Sequence, residues 1–466
     1  MSSRQKDLIF FILIFSALLA IQVCPAGFFD PDGYYHTQMA RLLSSGNFLT
    51  RFPWLSAATW AKNFADQHFL YHILLIPFVK ISPIAGAQIF NALTGAVFAA
   101  IFHSLLKSQK ISYPKLWTLF CLFASSGFLF RLSLVKATGL SLCLMFLFIK
   151  FLQDRKPKKL FIIAFIFVWT YGGFVFLPVI LALQAAAWLG SGWLAEKKLI
   201  PAVIQTAIKN GLWKIFVYPA FGIILGLLLF PHAPDLLRQL YNQIFQAGLA
   251  YKISVGREWN RSSLQDLLSG NGFVFFAWIF ASAWIFAKAR QQLKNSRLLF
   301  LFFLALFFLA LSVKSKRFIE EAVPFMVLFS ACALQPFLLS YPWPKIKTKF
   351  RQNFSFGFPL VMGALCILII TLAKTQAVAQ NLHKPMPISH FQGVSQYLLA
   401  SSSPGEIVFN TTWDTFPQLF FLNPQNYYVT GMDPMFMYIA DAQKYWLWKH
   451  ISDGQNTSCP IPACRP

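Results

Sequence analysis

Apolar runs close to the length of a bilayer crossing recur along most of this 466-residue chain. A hydrocarbon core of about 30 Å takes roughly 20 helical residues to cross. Lipid offers no water to satisfy N–H and C=O groups, so such runs must close their hydrogen bonds internally as helices. The predicted fold class is therefore an all-α polytopic membrane protein. Composition agrees: 57% of the residues are hydrophobic and 12% charged, about half the charge of a soluble domain.

The first run, Leu8 to Cys24, follows Arg4 and Lys6. "CPAGFFD" is a poor cleavage site, and many spans follow. The run therefore reads as an uncleaved first helix with an inside N-terminus, which places residues 25–68 outside. Further spans are expected at about 69–82, 84–106, 115–130, 137–152, 160–188, 212–230, 271–289, 297–313, 318–340 and 357–375, roughly ten or eleven helices in all. Basic clusters at 107–115 and 150–159 belong on one side, yet two full spans between 69 and 106 would put the first of them outside. A half-span or re-entrant segment resolves that conflict, and the sequence leaves the choice open.

The net charge of +24 does not indicate nucleic acid. The basic residues sit in short clusters between apolar runs, as in "KFLQDRKPKKL" (150–160) and "KIKTKFRQ" (345–352). That is how cytoplasmic loops face anionic lipid, so the bilayer is the partner.

From about residue 381 the chain becomes less hydrophobic. A helical stretch (390–400), a β-rich run "EIVFN" (406–410), a helix (416–422) and a second β-rich run "NYYVT" (426–430) suggest a small α/β appendage. This divides the chain into a transmembrane domain, 1–380, and a C-terminal extracytoplasmic domain, 381–466. Five of the seven cysteines lie in or beside apolar runs and read as core residues. Cys459 and Cys464 can pair if the tail is exported.

Acids are scarce, 16 in the chain, so their positions inform. Asp30, Asp32 and Asp66 all fall in the first predicted exported segment. Asp30 and Asp32 can cap the helix that follows, and capping does not preclude chemistry. In "ADQHFLYH" (65–72), His68 and His72 share a helical face with Asp66 at its start. With Asp32 and His36 these side chains offer donors for a divalent metal ion, or simply a structural cluster. "ISVGREWNRSS" (253–263) sets Arg257, Glu258 and Arg261 around Trp259, and "LSVKSKRFIEEAVPF" (311–325) sets Lys316 and Arg317 before Glu320 and Glu321. Each reads as a basic membrane anchor or as a phosphate-binding group.

Together these features resemble the GT-C class of integral membrane glycosyltransferases, which use polyprenyl-phosphate or polyprenyl-diphosphate sugars as donors. The class includes protein O-mannosyltransferases, aminoarabinose transferases of lipid A and the catalytic subunit of oligosaccharyltransferase. "DGYYH" (32–36) is similar to the first-loop motif of that subunit. The resemblance implies a catalytic Asp32, with Asp30 beside it; a metal ion at Asp32, His36, Asp66 and His68, if these donors hold one, would be Mn²⁺ or Mg²⁺. "SVGRE" (254–258) resembles the external-loop motif ending in glutamate, which makes Glu258 its counterpart. "KRF" (316–318) resembles the motif that meets the donor phosphate, implying Arg317 with Lys316 and Arg257. "TTWDTFP" (411–417) is similar, at Trp413 and Asp414 only, to an acceptor-gripping motif.

Two departures matter. Where a second acidic pair is expected, "FRLSLVKATGLS" (130–141) carries Arg131 and Lys136, and the acceptor motif is incomplete. Metal dependence and the nature of the acceptor (glycan, lipid or protein) therefore stay open. The implied function is sugar transfer on the outer face of the plasma (inner) membrane. The alternatives are a polytopic transporter, or a non-catalytic scaffold with an exported binding domain.

Overall fold

The computed structural model describes residues 2–23, 27–196, 208–250, 253–340, 373 and 387–455. The described residues are mostly helical, with one pair of two-residue strands among them. Helix α1 (Ser3–Gln22) opens on a reciprocal cap between Ser2 and Gln5. An amphipathic α2 (Asp32–Ser44) follows, then α3 (Phe69–Ile81) and α4 (Pro83–Ser108). Next come α5 (Pro114–Phe123), α6 (Ser126–Ser133), α7 (Thr138–Gln153), α8 (Pro157–Thr170) and α9 (Phe176–Glu196). After them lie α10 (Lys214–Leu228), α11 (Ala233–Tyr241), α12 (Leu264–Lys288), α13 (Ser296–Lys314) and α14 (Ile319–Ala333).

Among the described residues five helices are long and apolar enough to cross a bilayer, or seven if two bent pairs each count as one span. Several of the expected runs are short or broken among the described residues, for local reasons. α3 has 13 residues with Pro77 inside, so it reaches only about 20 Å at 1.5 Å per residue. That is short of a full crossing. The run at 115–130 bends by 78° between α5 and α6. The run at 160–188 breaks at Tyr171, where the backbone turns extended before Gly172 and Gly173. The span expected at 357–375 and the cluster at 345–352 lie outside the described residues, as do the boundary at 381 and Cys24, Cys366, Cys459 and Cys464. Cys121, Cys143 and Cys332 are free thiols; the first two are buried and Cys332 is half-buried.

One apolar core runs through α1, α4 to α10 and α12 to α14, with Phe98, Phe146, Phe308 and Phe325 inside it. A second core lies at one end and joins distant parts of the chain. Tyr35 and Met39 of α2 and Phe52, Trp60 and Phe64 of the first loop pack against Phe416, Phe420, Tyr428 and Phe436. The C-terminal segment supplying the latter contains α15 (Gln392–Ser401), β1 (Ile407–Val408), α16 (Phe416–Leu422), β2 (Tyr427–Tyr428), α17 (Pro434–Ala440) and α18 (Ala442–Ser452). β1 and β2 pair in parallel, Ile407 with Tyr427 and Val408 with Tyr428. Both strands fall inside the expected β-rich runs. Beyond β2 the pairing continues into the first loop: Tyr428 N–H donates to the Trp54 carbonyl at 2.9 Å, and Ser56 N–H donates to the Tyr428 carbonyl at 2.9 Å.

Candidate active site

Where the second core meets the helix bundle there is a cavity of about 960 Å³. That is the size of a pocket for a substantial small ligand. Most of the residues singled out by sequence line it: Asp30, Asp32, His36, Asp66, His68, Arg257, Glu258, Lys316, Arg317, Trp413 and Asp414, but not His72 or Arg261. They sit on different walls and have different partners.

The first wall is the start of α2. Asp30 accepts the Asp32 N–H at 2.8 Å, so it caps the helix. Both carboxylates then meet Lys136, at 3.2 Å from Asp30 and 2.8 Å from Asp32. Lys136 comes from the short turn between α6 and α7 and is largely buried. Burial raises Asp32 to about 6, against the pull of Lys136 and with further help from Asp30 and Glu258.

Beside it, Asp66 and the histidines form a chain. Asp66 accepts the His68 N–H at 3.0 Å, which caps α3, and His72 Nδ1 donates to it at 2.6 Å. His72 Nε2 meets His36 Nδ1 at 2.8 Å. Burial opposes ionisation of Asp66, but His72 and the hydrogen bonds hold its pKa below the usual range. Burial pushes His68 down to about 3 and His36 well below its ordinary value, so both rings are neutral.

The opposite wall is built of arginines and glutamates. Residues 257–262 are laced to the junction of α13 and α14: Ser315 Oγ donates to the Glu258 carbonyl at 2.9 Å, and Lys316 N–H to the Asn260 carbonyl at 3.1 Å. This sets Glu258 between two guanidinium groups, 2.5 Å from Arg131 and 3.6 Å from Arg317. Arg131 also holds the buried Glu320 at 2.8 Å. Arg317 lies over the Trp259 ring at 4.5 Å and donates to the Tyr171 hydroxyl at 2.8 Å. Burial would raise Glu258, but Lys136, Arg131 and Arg317 hold it far below the usual carboxylate range.

At the rim, Arg257 and Asp414 are exposed and Trp413 is half-buried. Trp413 packs with Val255, Trp259 and Met435 in a small apolar cluster that ties the 253–259 loop to the C-terminal segment. Lys316, half-exposed, pairs with Asp266 at 2.9 Å. An apolar strip including Phe130, Leu134, Val175, Phe176, Leu240 and Phe318 completes the lining.

The four side chains proposed for a metal ion do not form one coordination shell. Asp32 is bonded to Lys136, while Asp66 and His36 are both bonded to His72. Among the described residues no group of three or more His, Cys, Asp or Glu side chains is arranged to hold a metal ion. Sequence reasoning assigned no site role to Lys136, Arg131, Tyr171 or Asp433, all of which line the cavity. Two of these had a signal, since Arg131 and Lys136 are cations inside an otherwise apolar stretch, and such charges seldom stand alone.

The fold is similar to that of solved membrane glycosyltransferases of the GT-C class. One is the archaeal oligosaccharyltransferase AglB from Archaeoglobus fulgidus, solved in complex with an inhibitory peptide and a dolichol-phosphate. The alignment has a TM-score of 0.59 at 14% identity and covers 92% of this chain and 65% of AglB. ArnT from Cupriavidus metallidurans, bound to undecaprenyl phosphate, aligns with a TM-score of 0.56 at 12% identity, covering 95% of this chain and 89% of ArnT. This chain thus spans about two-thirds of the length of AglB and most of that of ArnT. At these identities the likeness is one of fold. No protein-family model matches the sequence, and no curated protein matches it.

Proposed function

We propose that this chain is a membrane glycosyltransferase. It moves a sugar from a polyprenyl-phosphate or polyprenyl-diphosphate donor to an acceptor on the extracytoplasmic side of the plasma (inner) membrane. The observation that carries this reading is the gathering of Asp32, Glu258 and Arg317 on one cavity that also has an apolar strip. A proton acceptor, a cationic wall and a greasy surface are what transfer from a lipid phosphate requires.

With a hydroxyl acceptor, the acceptor oxygen bonds to the anomeric carbon as the bond from that carbon to the phosphate oxygen breaks. The bonding pair leaves on the phosphate, and Asp32 takes the hydroxyl proton. Arg317 faces the developing phosphate charge, held by Glu258, Tyr171 and Trp259. Lys316 and Arg257 add positive charge toward the rim. Trp413 and Asp414 face the acceptor, where an indole can stack on a sugar ring and a carboxylate can bind its hydroxyls. The same reading places the segment after residue 387 outside the cytoplasm, because it lines the cavity with the first loop.

The test is transfer by the purified full chain in lipid nanodiscs, supplied with polyprenyl-phosphate hexoses and with glycan, lipid and peptide acceptors. Labelled sugar should leave the lipid and appear in one acceptor class, and Asp32→Asn should stop it. Failure to consume any polyprenyl-linked sugar would sink the proposal.

A further inference from the structure

We propose that the Lys136 ammonium is the resident cation of the Asp30–Asp32 pair and takes the place of a divalent metal ion at Asp32. The chain then needs no such ion. The inference rests on the reading above only for its activity arm.

Two carboxylates held close together repel unless a proton or a cation lies between them. Here the cation is part of the chain. Lys136 reaches both carboxylates, at 3.2 and 2.8 Å, and about 15% of its side chain is exposed. Its position is fixed by the backbone, because the Lys136 N–H donates to the Leu134 carbonyl at 2.8 Å in a turn between two packed helices. An ammonium is a compact point charge with three donors, so two salt bridges leave one donor for a further oxygen. Other metal-ligating groups of the cavity are already engaged, since Asp66 and His36 both bond His72 and Glu258 lies between Arg131 and Arg317.

The exchange of charge has a chemical consequence. A divalent ion would neutralise both aspartates and weaken Asp32 as a proton acceptor. One ammonium leaves a net negative charge on the pair, so Asp32 stays basic. The positive charge that a metal would offer the leaving phosphate must then come from elsewhere, and the facing wall supplies Arg317, backed by Arg131. Lys136 acts through Asp32 and is a positioning residue.

The experiment titrates Mn²⁺ into the chelator-treated, detergent-purified full chain and reads bound ion by electron paramagnetic resonance, with transfer measured in parallel. The wild-type chain should bind no Mn²⁺ at this site and should keep its activity after chelation. Lys136→Glu, which adds a third carboxylate, should bind one ion per chain and lose it again when Asp32→Asn is added. Lys136→Met, similar in length but uncharged, should lower kcat severalfold with little change in the donor KM, and Lys136→Arg should restore much of the loss. Mn²⁺ bound by the wild-type chain and lost on Asp32→Asn overturns the proposal. So does activity that chelation abolishes and Mn²⁺ restores. If no lipid-linked sugar is ever transferred, the Mn²⁺ titration still decides the cation while the enzymatic reading falls by itself.

Discussion

The two charged walls of the cavity treat their carboxylates in opposite ways. On the α2 wall, Asp30 and Asp32 share one ammonium, and Asp32 is raised to about 6. On the facing wall, Glu258 lies between Arg131 and Arg317, with Lys136 also near, and is held far below the ordinary range. Both acids lie outside the spans and line the same space, so the difference comes from the ratio of cations to anions. Environments that push two acids apart separate their roles. Asp32 can gain and lose a proton near neutral pH, whereas Glu258 is a permanent anion whose use is to hold guanidinium groups still.

The largest expected effect comes from removing the titrating acid. Asp32→Asn should lower kcat by on the order of 10²–10⁴, the usual share of a general base, with insertion and melting unchanged. Asp30→Asn should cost less. Wild-type turnover in Asp32→Asn would erase the distinction between the walls. Next is Arg131→Met, which leaves Glu320 buried without its partner. Breaking a buried ion pair costs about 3–5 kcal/mol, so a clear drop in melting temperature is expected, larger than for Asp32→Asn. Equal melting would mean that the arginine wall is not a structural anchor. Arg317→Ala should reduce kcat/KM for the lipid donor by about 1.5–3 kcal/mol, the scale of a hydrogen bond to a charged group. The acceptor KM should stay the same, and an unchanged donor dependence would leave Arg317 as a membrane anchor.

The smallest effect is in pH dependence. The groups facing Asp32 are Asp30, Lys136, Glu258, Asp433 and the Tyr35 hydroxyl. A base must be ionised to act, so activity should hold above pH about 6 and fall as pH drops through that value. The depressed Glu258 should add no second acid limb in the range where the protein stays folded. An acid limb near pH 4 would place Asp32 in an ordinary carboxylate environment.

Much of the site was legible because charge is rare in this chain. Asp32, Glu258 and Arg317 stand out at the ends of apolar runs, and burying a charge without purpose is costly. What pairs with what was not legible. Nothing local links Asp32 to Lys136, 104 positions later, because that salt bridge exists only once α6 and α7 pack beside α2. How the apolar runs bend was not legible for a similar reason. Hydropathy sees that the run at 115–130 is apolar but not that it turns by 78° between α5 and α6. The first four elements of the C-terminal segment were readable, even to the start and end of α16, whereas α17 and α18 were not expected. Its burial against the first loop was not, because Tyr428 pairs with the backbone of Trp54 and Ser56, and Phe420 packs on Phe52 and Trp54, all more than 350 residues away.

That distant pairing bears on when the protein comes to exist as a working object. The Trp54 indole donates to the Pro424 carbonyl across 370 positions of chain. A ribosome adding about 5–20 residues per second needs on the order of tens of seconds to make the stretch between them. Throughout that interval the first loop lacks the cover that buries Phe52 and Trp60. It must wait, half-made, for the last part of the chain to arrive. Contacts this far apart form late, so the cavity closes as one of the final acts of biogenesis. Asp32 therefore meets its surroundings only after the whole membrane bundle is in place.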